Sequence, residues 1–413
     1  MRLVSIWARM LGLGRTTVVE DVTFDEAVNA IVLRVRPSKK ARQRCGICGR
    51  RCPWYDHGEG RRRWRALDLG PVRAYLEAEA PRVNCLEHGV VVAQVPWARH
   101  AAGFTHAFED MVAWLATHCS KSAVQDLMRI AWRSVGHIVM RVVSDAQQER
   151  DRFAGLRRIG IDEISYKRRQ NYLVVVVDHD TGHLIWAAPG RSEATLRKFF
   201  DELGQERCKL ITLVTADAAD WIRNVVTEHC KTAEICLDPF HIVAWATDAL
   251  DEVRRAVWNE ARFTGQKALA RELKDARFAL WKNPEDLTQR QQARLAHIEQ
   301  TNAPLYRAYL LKEQLRQIFQ LPPDQALLLL DAWIAWAQRS RLVPFVELAR
   351  KIRSHRKGIE NTLRHDLSNA RVESLNTKIR LITRVAFGFH SPQALIALAM
   401  LSLGGLCPAL PHL

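Results

Sequence analysis

Residues 159–177, IGIDEISYKRRQNYLVVVV, carry the reading on which the fold turns. A short strand over 156–164 ends in Gly160-Ile161-Asp162-Glu163. The run 172–177 is continuously apolar and β-branched, as expected of a strand covered on both faces. Asp180-Thr181-Gly182 makes a turn, and 184–188 returns as the hairpin partner. Working outward, a helix is expected over 192–203, then a strand over 210–215 ending at Asp217. A further strand, 234–237, ends at Asp238-Pro239-Phe240-His241. A hairpin followed by helix and strand makes an α/β core, with the Asp162 and Asp217 carboxylates converging at one edge of a mixed sheet. Much further along, Asn369 can cap a helix running to about residue 385. Val372, Leu375, Ile379 and Ile382 point inward on it, while Glu373, Asn376, Thr377 and Arg380 share the opposite face.

Three carboxylates without accompanying thiolates suit a hard, oxygen-loving ion, Mg²⁺ or Mn²⁺. Two such ions about 4 Å apart can activate an attacking oxygen and stabilise a leaving one in phosphoryl transfer. Taken singly, each acid has a bland reading: Asp162 caps a turn, Asp217 starts a helix, Glu373 is a solvated helix residue. Their joint placement favours the metal.

The 413 residues carry 61 Lys+Arg against 45 Asp+Glu, a formal charge of +16, and 48% of them are apolar. That length suggests two to four domains, and 13 Trp with 13 Phe exclude disorder as the dominant state. No secretory leader is recognisable at the start. The uncharged stretch 394–410 reads as a helix capped by Ser391-Pro392 and stopped by Gly404-Gly405. Its roughly 18 Å falls short of the ~30 Å that a bilayer core requires, so a buried helix and no membrane partner are expected.

Twelve basic residues between 31 and 65, among them Arg61, Arg62 and Arg63, face only Asp56 and Glu59 there, a local excess of +10. Such a patch attracts a polyanion. It surrounds a candidate zinc site. Cys45-Gly-Ile-Cys48-Gly and Cys85-Leu-Glu-His88-Gly share the form ligand, two residues, ligand, glycine, and two such turns supply a tetrahedron for one structural Zn²⁺. An alternating strand, 72–80, lies between them. A rival set, Cys45, Cys48, Cys52 and His57, and a metal-free pair of turns remain open. Cys119, Cys208, Cys230, Cys236 and Cys407 read as small core residues.

From 104 to 144 the pattern is helical. Phe108, Met111, Val112 and Leu115 mark one apolar face, and Ser122 can cap a short second helix reaching Arg129. A third helix buries Val135, Ile138, Val139 and Val142 and turns Arg133, Ser134, His137, Met140 and Arg141 outward. A short helix, a tight turn and a basic-faced helix fit a major groove, so Arg133, Ser134, His137 and Arg141 join Arg61, Arg62 and Arg63 as candidate contacts to double-stranded DNA.

With these pieces in place, nearly the whole chain resembles the ISL-three family of bacterial insertion-sequence transposases. The resemblance rests on CGICG with CLEHG, SKSAVQDLMRIAWRSVGHIV, GIDEIS, TADAADW, DPFHIV, and NARVESLNTKIR followed by RVAFGFHSP. The second zinc turn here ends in His88 rather than a fourth Cys, and Cys52 is extra. The resemblance implies an RNase-H-like core with a DDE triad matching Asp162, Asp217 and Glu373, with Asp238, His241 and Asn376 as second-tier residues. It also implies zinc and helix-turn-helix segments that recognise terminal inverted repeats. The expected organisation is multidomain: an N-terminal segment (1–35), a zinc ribbon (36–98), a helix-turn-helix (99–150), an α/β RNase-H-like core (151–255 and 360–413) and an all-α insertion (256–359). The insertion, with Leu310, Leu311, Leu315, Ile318 and the Pro322-Pro323 break, packs on the core and offers a surface to DNA or a second subunit. Trp333 and Trp336 read as core. The expected activity is two-metal cleavage and strand transfer at element ends by a cytoplasmic, nucleoid-associated protein, a homodimer or larger when two ends are joined. The alternatives are a nuclease or resolvase without strand transfer, and a non-catalytic DNA-binding regulator.

Overall fold

The computed structural model describes residues 3–167, 171–389 and 391–410. The chain forms two compact units, Met1–Arg152 with Ile382–Leu413, and Phe153–Leu381. No helix among the described residues is long and apolar enough to cross a membrane.

The first unit holds two sheets. Strands β1 (Thr17–Asp25), β2 (Ala30–Pro37), β4 (Arg61–Leu69) and β5 (Val72–Glu79) form one, in the order β1-β2-β5-β4. The alternation expected over 72–80 is thus a real strand, with Ala74, Leu76 and Ala78 buried against Leu33, Val35 and Trp64. It belongs to a sheet that also recruits the 1–35 segment, whose hairpin turns at Asn29 with positive φ. Strands β3 (Trp54–Asp56), β6 (Arg82–Cys85) and β7 (Gly89–Val92) make the smaller sheet. Three helices follow, His106–His118, Lys121–Met128 and Trp132–Glu149. The second is capped by Ser120, which accepts from the Ala123 amide at 3.2 Å, not by Ser122: the helix begins two residues earlier than expected and ends at Met128, with Arg129 as its left-handed C-cap. The Pro392–Leu403 helix, capped by Ser391, packs on the helices His106–His118 and Trp132–Glu149. The 360–413 segment assigned to the core therefore divides: its last part joins the first unit, because the face of that helix is buried on the three-helix group. Cys208, Cys230 and Cys236 are buried as expected, but Cys119 is exposed at a helix end.

In the second unit, β8 (Arg158–Lys167), β9 (Asn171–Asp178), β10 (Leu184–Pro189), β11 (Leu213–Ala216) and β12 (Glu234–Leu237) form one sheet in the order β10-β9-β8-β11-β12. The first three are antiparallel neighbours, and β8, β11 and β12 run parallel. An antiparallel hairpin pair flanking a parallel trio is the RNase-H-like layout that the resemblance implied. Helices Glu193–Leu203 and Asp220–His229 cover one face, burying Leu196, Phe199, Phe200, Ile222 and Val225 against Ile159, Ile161, Val174 and Val176. From Pro239 to His365 the chain is helical around its own core of Leu311, Leu315, Trp333, Phe345 and Ile352. Trp333 is fully buried and donates from Nε1 to the Leu311 carbonyl at 2.8 Å, a core role.

Candidate active site, zinc site and DNA-binding surface

Thr215 on β11 pairs with Gly160 on β8 and with Cys236 on β12. Carried two residues onward, the same register leads to a row of Asp162, still on β8, and Asp217 and Asp238, each one residue past the end of its strand. Asp162 is not at a strand tip: β8 runs on to Lys167, and the acid lies where its shorter neighbour β11 gives out.

The Ala370–Val385 helix lies over this row. Its approach depends on Gly160, where an added Cβ would collide with Val372 Cγ2 and come within 2.8 Å of His179 Nε2. Asn369 does more than start the helix. Its side chain accepts from Thr215 Oγ1 at 2.6 Å and donates to the Ile161 carbonyl at 3.4 Å, while its amide donates to Asp238 Oδ1 at 3.3 Å. One turn past Val372, Asn376 Nδ2 donates to Asp162 Oδ2 at 2.6 Å, and the Glu163 amide donates to Asp162 Oδ1 at 2.7 Å.

Electrostatics tie the acids together. Burial, then the charge of Asp217, pushes Asp162 up to about 7. Burial, then Asp238 and Asp217, raises Glu373. His241 is pushed up to about 10 by hydrogen bonding to Asp217 and Asp238. Its Nδ1 lies 2.9 Å from Asp238 Oδ2 and 3.0 Å from Asp217 Oδ1. That single Nδ1–H faces both carboxylates, so Asp217 Oδ1 and Asp238 Oδ2 compete for one proton. Glu163 Oε1 and Asn376 Oδ1 are buried with no donor at all. Two buried acceptor oxygens lacking donors, beside carboxylates that compete for one imidazole proton, fit a divalent cation with oxygen ligands.

The tightest metal-capable group here is Asp217, Asp238 and His241, whose ligand atoms all lie within 4.8 Å of one another. Asp162 and Glu373 stand in the same electrostatic field but outside that group. The second-tier residues Asp238 and His241 are thus more central than the DPFH signature alone conveyed. The shared register of β11 and β12, invisible along one strand, is what brings Asp238 beside Asp217.

In the first unit, Cys45, Cys48, Cys85 and His88 gather with all ligand atoms within 4.8 Å. The Cys48–Cys85 separation is 3.7 Å, and Cys85 and Cys45 lie 3.6 and 3.9 Å from His88 Nδ1. A zinc–thiolate tetrahedron with bonds of ~2.3 Å has an edge of about 3.8 Å, so these four fit one Zn²⁺. The glycines closing both turns, Gly49 and Gly89, adopt φ of +69° and +64°, where a side chain would be strained. Cys52 is buried nearby but gives its thiol to the Arg50 carbonyl at 3.3 Å, and His57 stacks edge-on against Trp54.

The DNA-facing expectations divide. Arg133 and His137 are exposed on the Trp132–Glu149 helix and Ser134 is half-buried. Arg141 is a correction: its guanidinium turns inward to fully buried Glu109, which Arg99 also engages at 3.3 Å. The +10 patch is also weaker than counted. Arg61 lies 3.5 Å from Glu77, Arg63 lies 2.8 Å from Glu77 and 3.6 Å from Asp25, and Arg36 lies 2.6 Å from Glu20. These acids come from β1 and β5, and Glu77 stands directly opposite Arg63 across the β4–β5 pair. Arg62 instead stacks over Trp64.

Fold and site together define a DDE-type transposase, an enzyme that cleaves and joins DNA. The chain belongs to the ISL3 family of transposases, whose DDE transposase model matches residues 159–399. A zinc-finger model of the IS204/IS1001/IS1096/IS1165 transposases matches residues 41–88, and a helix-turn-helix model of transposase family ISL3 matches residues 93–143. The chain is 57% identical to the transposase for insertion sequence element IS1557 of Mycobacterium tuberculosis, over 100% of this chain and 98% of the relative. It is 27% identical to the transposase for IS1001 of Bordetella parapertussis, over 84% of this chain and 86% of that one.

Proposed function

We propose that Asp162, Asp217 and Glu373 are the catalytic acids and that they hold two Mg²⁺ or Mn²⁺ ions, with Asp238 completing the donor set. The supporting observation is the row Asp162–Asp217–Asp238 beneath the helix that carries Glu373, with buried acceptor oxygens left unsatisfied. When bound, the ions would polarise the scissile phosphate and activate the attacking oxygen. Asn376 fixes the orientation of the Asp162 carboxylate, and Asp238 holds the His241 ring beside Asp217.

The reaction on this reading has two displacements. Water breaks a phosphodiester at the element end, leaving a 3′-hydroxyl and a 5′-phosphate. The 3′-hydroxyl then attacks a target phosphodiester, forming one new P–O bond and releasing one target 3′-oxygen. The helix-turn-helix, through Arg133, Ser134 and His137, and the zinc-bearing sheets bind the terminal inverted repeats. One Zn²⁺ is held by Cys45, Cys48, Cys85 and His88. The enzyme works in the bacterial cytoplasm, on the nucleoid, as a dimer or larger assembly when two ends are joined.

Asp162→Asn, Asp217→Asn and Glu373→Gln should each abolish cleavage of element-end DNA while leaving its binding intact. Undiminished cleavage in any one variant removes that residue from the set. Joined products in the wild-type reaction separate a transposase from a nuclease of the same fold.

A further inference from the structure

The helical segment that interrupts the catalytic core carries a cleft of about 760 Å³ whose walls are basic and partly aromatic. Six cations line it, from four helices: Arg254 and Arg255 from Pro239–Phe263, Lys274 from Lys267–Asp275, Arg277 from Arg277–Trp281, and Arg290 and Arg294 from Gln289–Thr301. Asp251 neutralises part of the first pair, at 2.7 Å from Arg254 and 2.9 Å from Arg255, and Asp275 lies 3.5 Å from Arg294. Lys274, Arg277 and Arg290 are exposed and have no acidic partner among the described residues. Two aromatic side chains share the walls: Trp258, with Arg262 over its ring, and Phe278, 59% exposed. Nothing in the catalytic row uses this cleft.

Surplus cations converging from separate helices, beside an exposed ring, match a sugar–phosphate backbone. A fold gains no stability from holding like charges together at an open surface, which argues for a polyanionic occupant. We infer that this cleft is a second DNA-binding site, in which Lys274, Arg277 and Arg290 contact phosphates of duplex DNA independently of the helix-turn-helix. The inference rests on the reading of this enzyme as one that works on DNA, and it gives the helical insertion a role: gripping DNA outside the recognised end.

The test measures binding of the full chain to a mixed-sequence duplex as a function of salt. Arg277→Ala/Arg290→Ala should weaken binding and make the slope of log K against log[salt] shallower by about 1.8, about 0.9 for each lost phosphate contact. Lys198→Ala/Lys209→Ala removes the same charge elsewhere on the unit and should leave the slope unchanged. Lys274→Ala alone, also at an exposed position, should give about half the effect. Unchanged slopes in both cleft variants overturn the inference, as does an equal change in the control, which would show bulk charge at work. Cleavage of element-end DNA by the wild type is followed in parallel. Its absence would count against the catalytic reading and leave the salt slopes to decide this one.

Discussion

Asn376 reaches from the Ala370–Val385 helix to the Asp162 carboxylate over 2.6 Å, joining two parts of the chain that lie 214 residues apart. The amide spends its donor on Oδ2, while its own carbonyl oxygen stays buried and unpartnered. Groups that orient a metal-binding carboxylate typically contribute about 10–100-fold to metal affinity or rate. Asn376→Ala should therefore raise the Mg²⁺ concentration needed for half-maximal cleavage by about that factor while leaving DNA affinity alone. Equal metal requirements in mutant and wild type would show that Asp162 needs no such support.

Gly160 sets how closely that helix approaches the sheet. A methyl group there meets Val372, His179 Nε2 at 2.8 Å and Thr215 Oγ1 at 3.0 Å, all from buried residues with little room to yield. Gly160→Ala should cost about 1–3 kcal/mol of stability by overpacking and reduce cleavage further by lifting Glu373 away from the row. Adding Val372→Ala should recover part of both, measured by thermal unfolding and cleavage rate. A double mutant no better than the single would place the clash elsewhere.

His179 makes the second unit acid-sensitive. It is 2% exposed, and its Nε2 lies 2.6 Å from Thr215 Oγ1. Because Thr215 spends its proton on Asn369, Nε2 must donate, and Nδ1 is left bare and unpartnered. Burial, then Arg371, holds the imidazole down to about 4, below its ordinary 6.5. Between those values the unfolded chain binds a proton that the folded chain refuses, so stability falls as pH drops from 6.5 to 4. The loss amounts to about 3 kcal/mol. His179→Gln, which keeps a donor toward Thr215, should flatten this pH dependence in denaturant titrations; an unaltered slope would assign it to other groups.

Arg133 and Arg141 are eight residues apart on one helix, yet they should fail differently. Arg141→Ala leaves Glu109 buried with only Arg99 beside it, and should cost about 1–2 kcal/mol, discounted because Arg141 is itself partly exposed. Arg133→Ala should leave stability within about 0.5 kcal/mol and weaken DNA binding. Calorimetry and a binding titration on both variants decide this; the reverse pattern would put Arg141 on the DNA.

Elemental analysis of the purified chain should find about one zinc, and Cys45→Ser should lose it along with much of the helical or sheet signal of the first unit. Retention of the metal in Cys85→Ser, but its loss in Cys52→Ser, would move the ligand set to the rival, Cys45, Cys48, Cys52 and His57.

What could be read from the sequence followed local rules. Buried strands announce themselves as β-branched runs, so 172–177 became β9, buried from Leu173 onward. The helix bearing Glu373 and the paired turns of Cys45–Cys48 and Cys85–His88 were equally plain, because helical period and ligand spacing are local. Partnership across strands is not local. Glu77 lies on β5 opposite Arg63 on β4, so counting charges along 31–65 overstated the basic patch. Asp238 sits beside Asp217 only because β11 and β12 share a register. Asn369 looks like an ordinary helix cap until Thr215 and Ile161 are seen to hold its side chain. The one available hint was the Asp-Pro-Phe-His run itself, where Pro239 opens a helix that returns His241 toward the acid preceding it.

The most direct measurement is anomalous scattering from crystals of the protein soaked in Mn²⁺. Density at coordinating distance from Asp162, Asp217 and Glu373 together is the predicted result. A peak confined to Asp217, Asp238 and His241, with Asp162 and Glu373 left out of reach even when DNA is bound, would contradict the assignment of the catalytic triad.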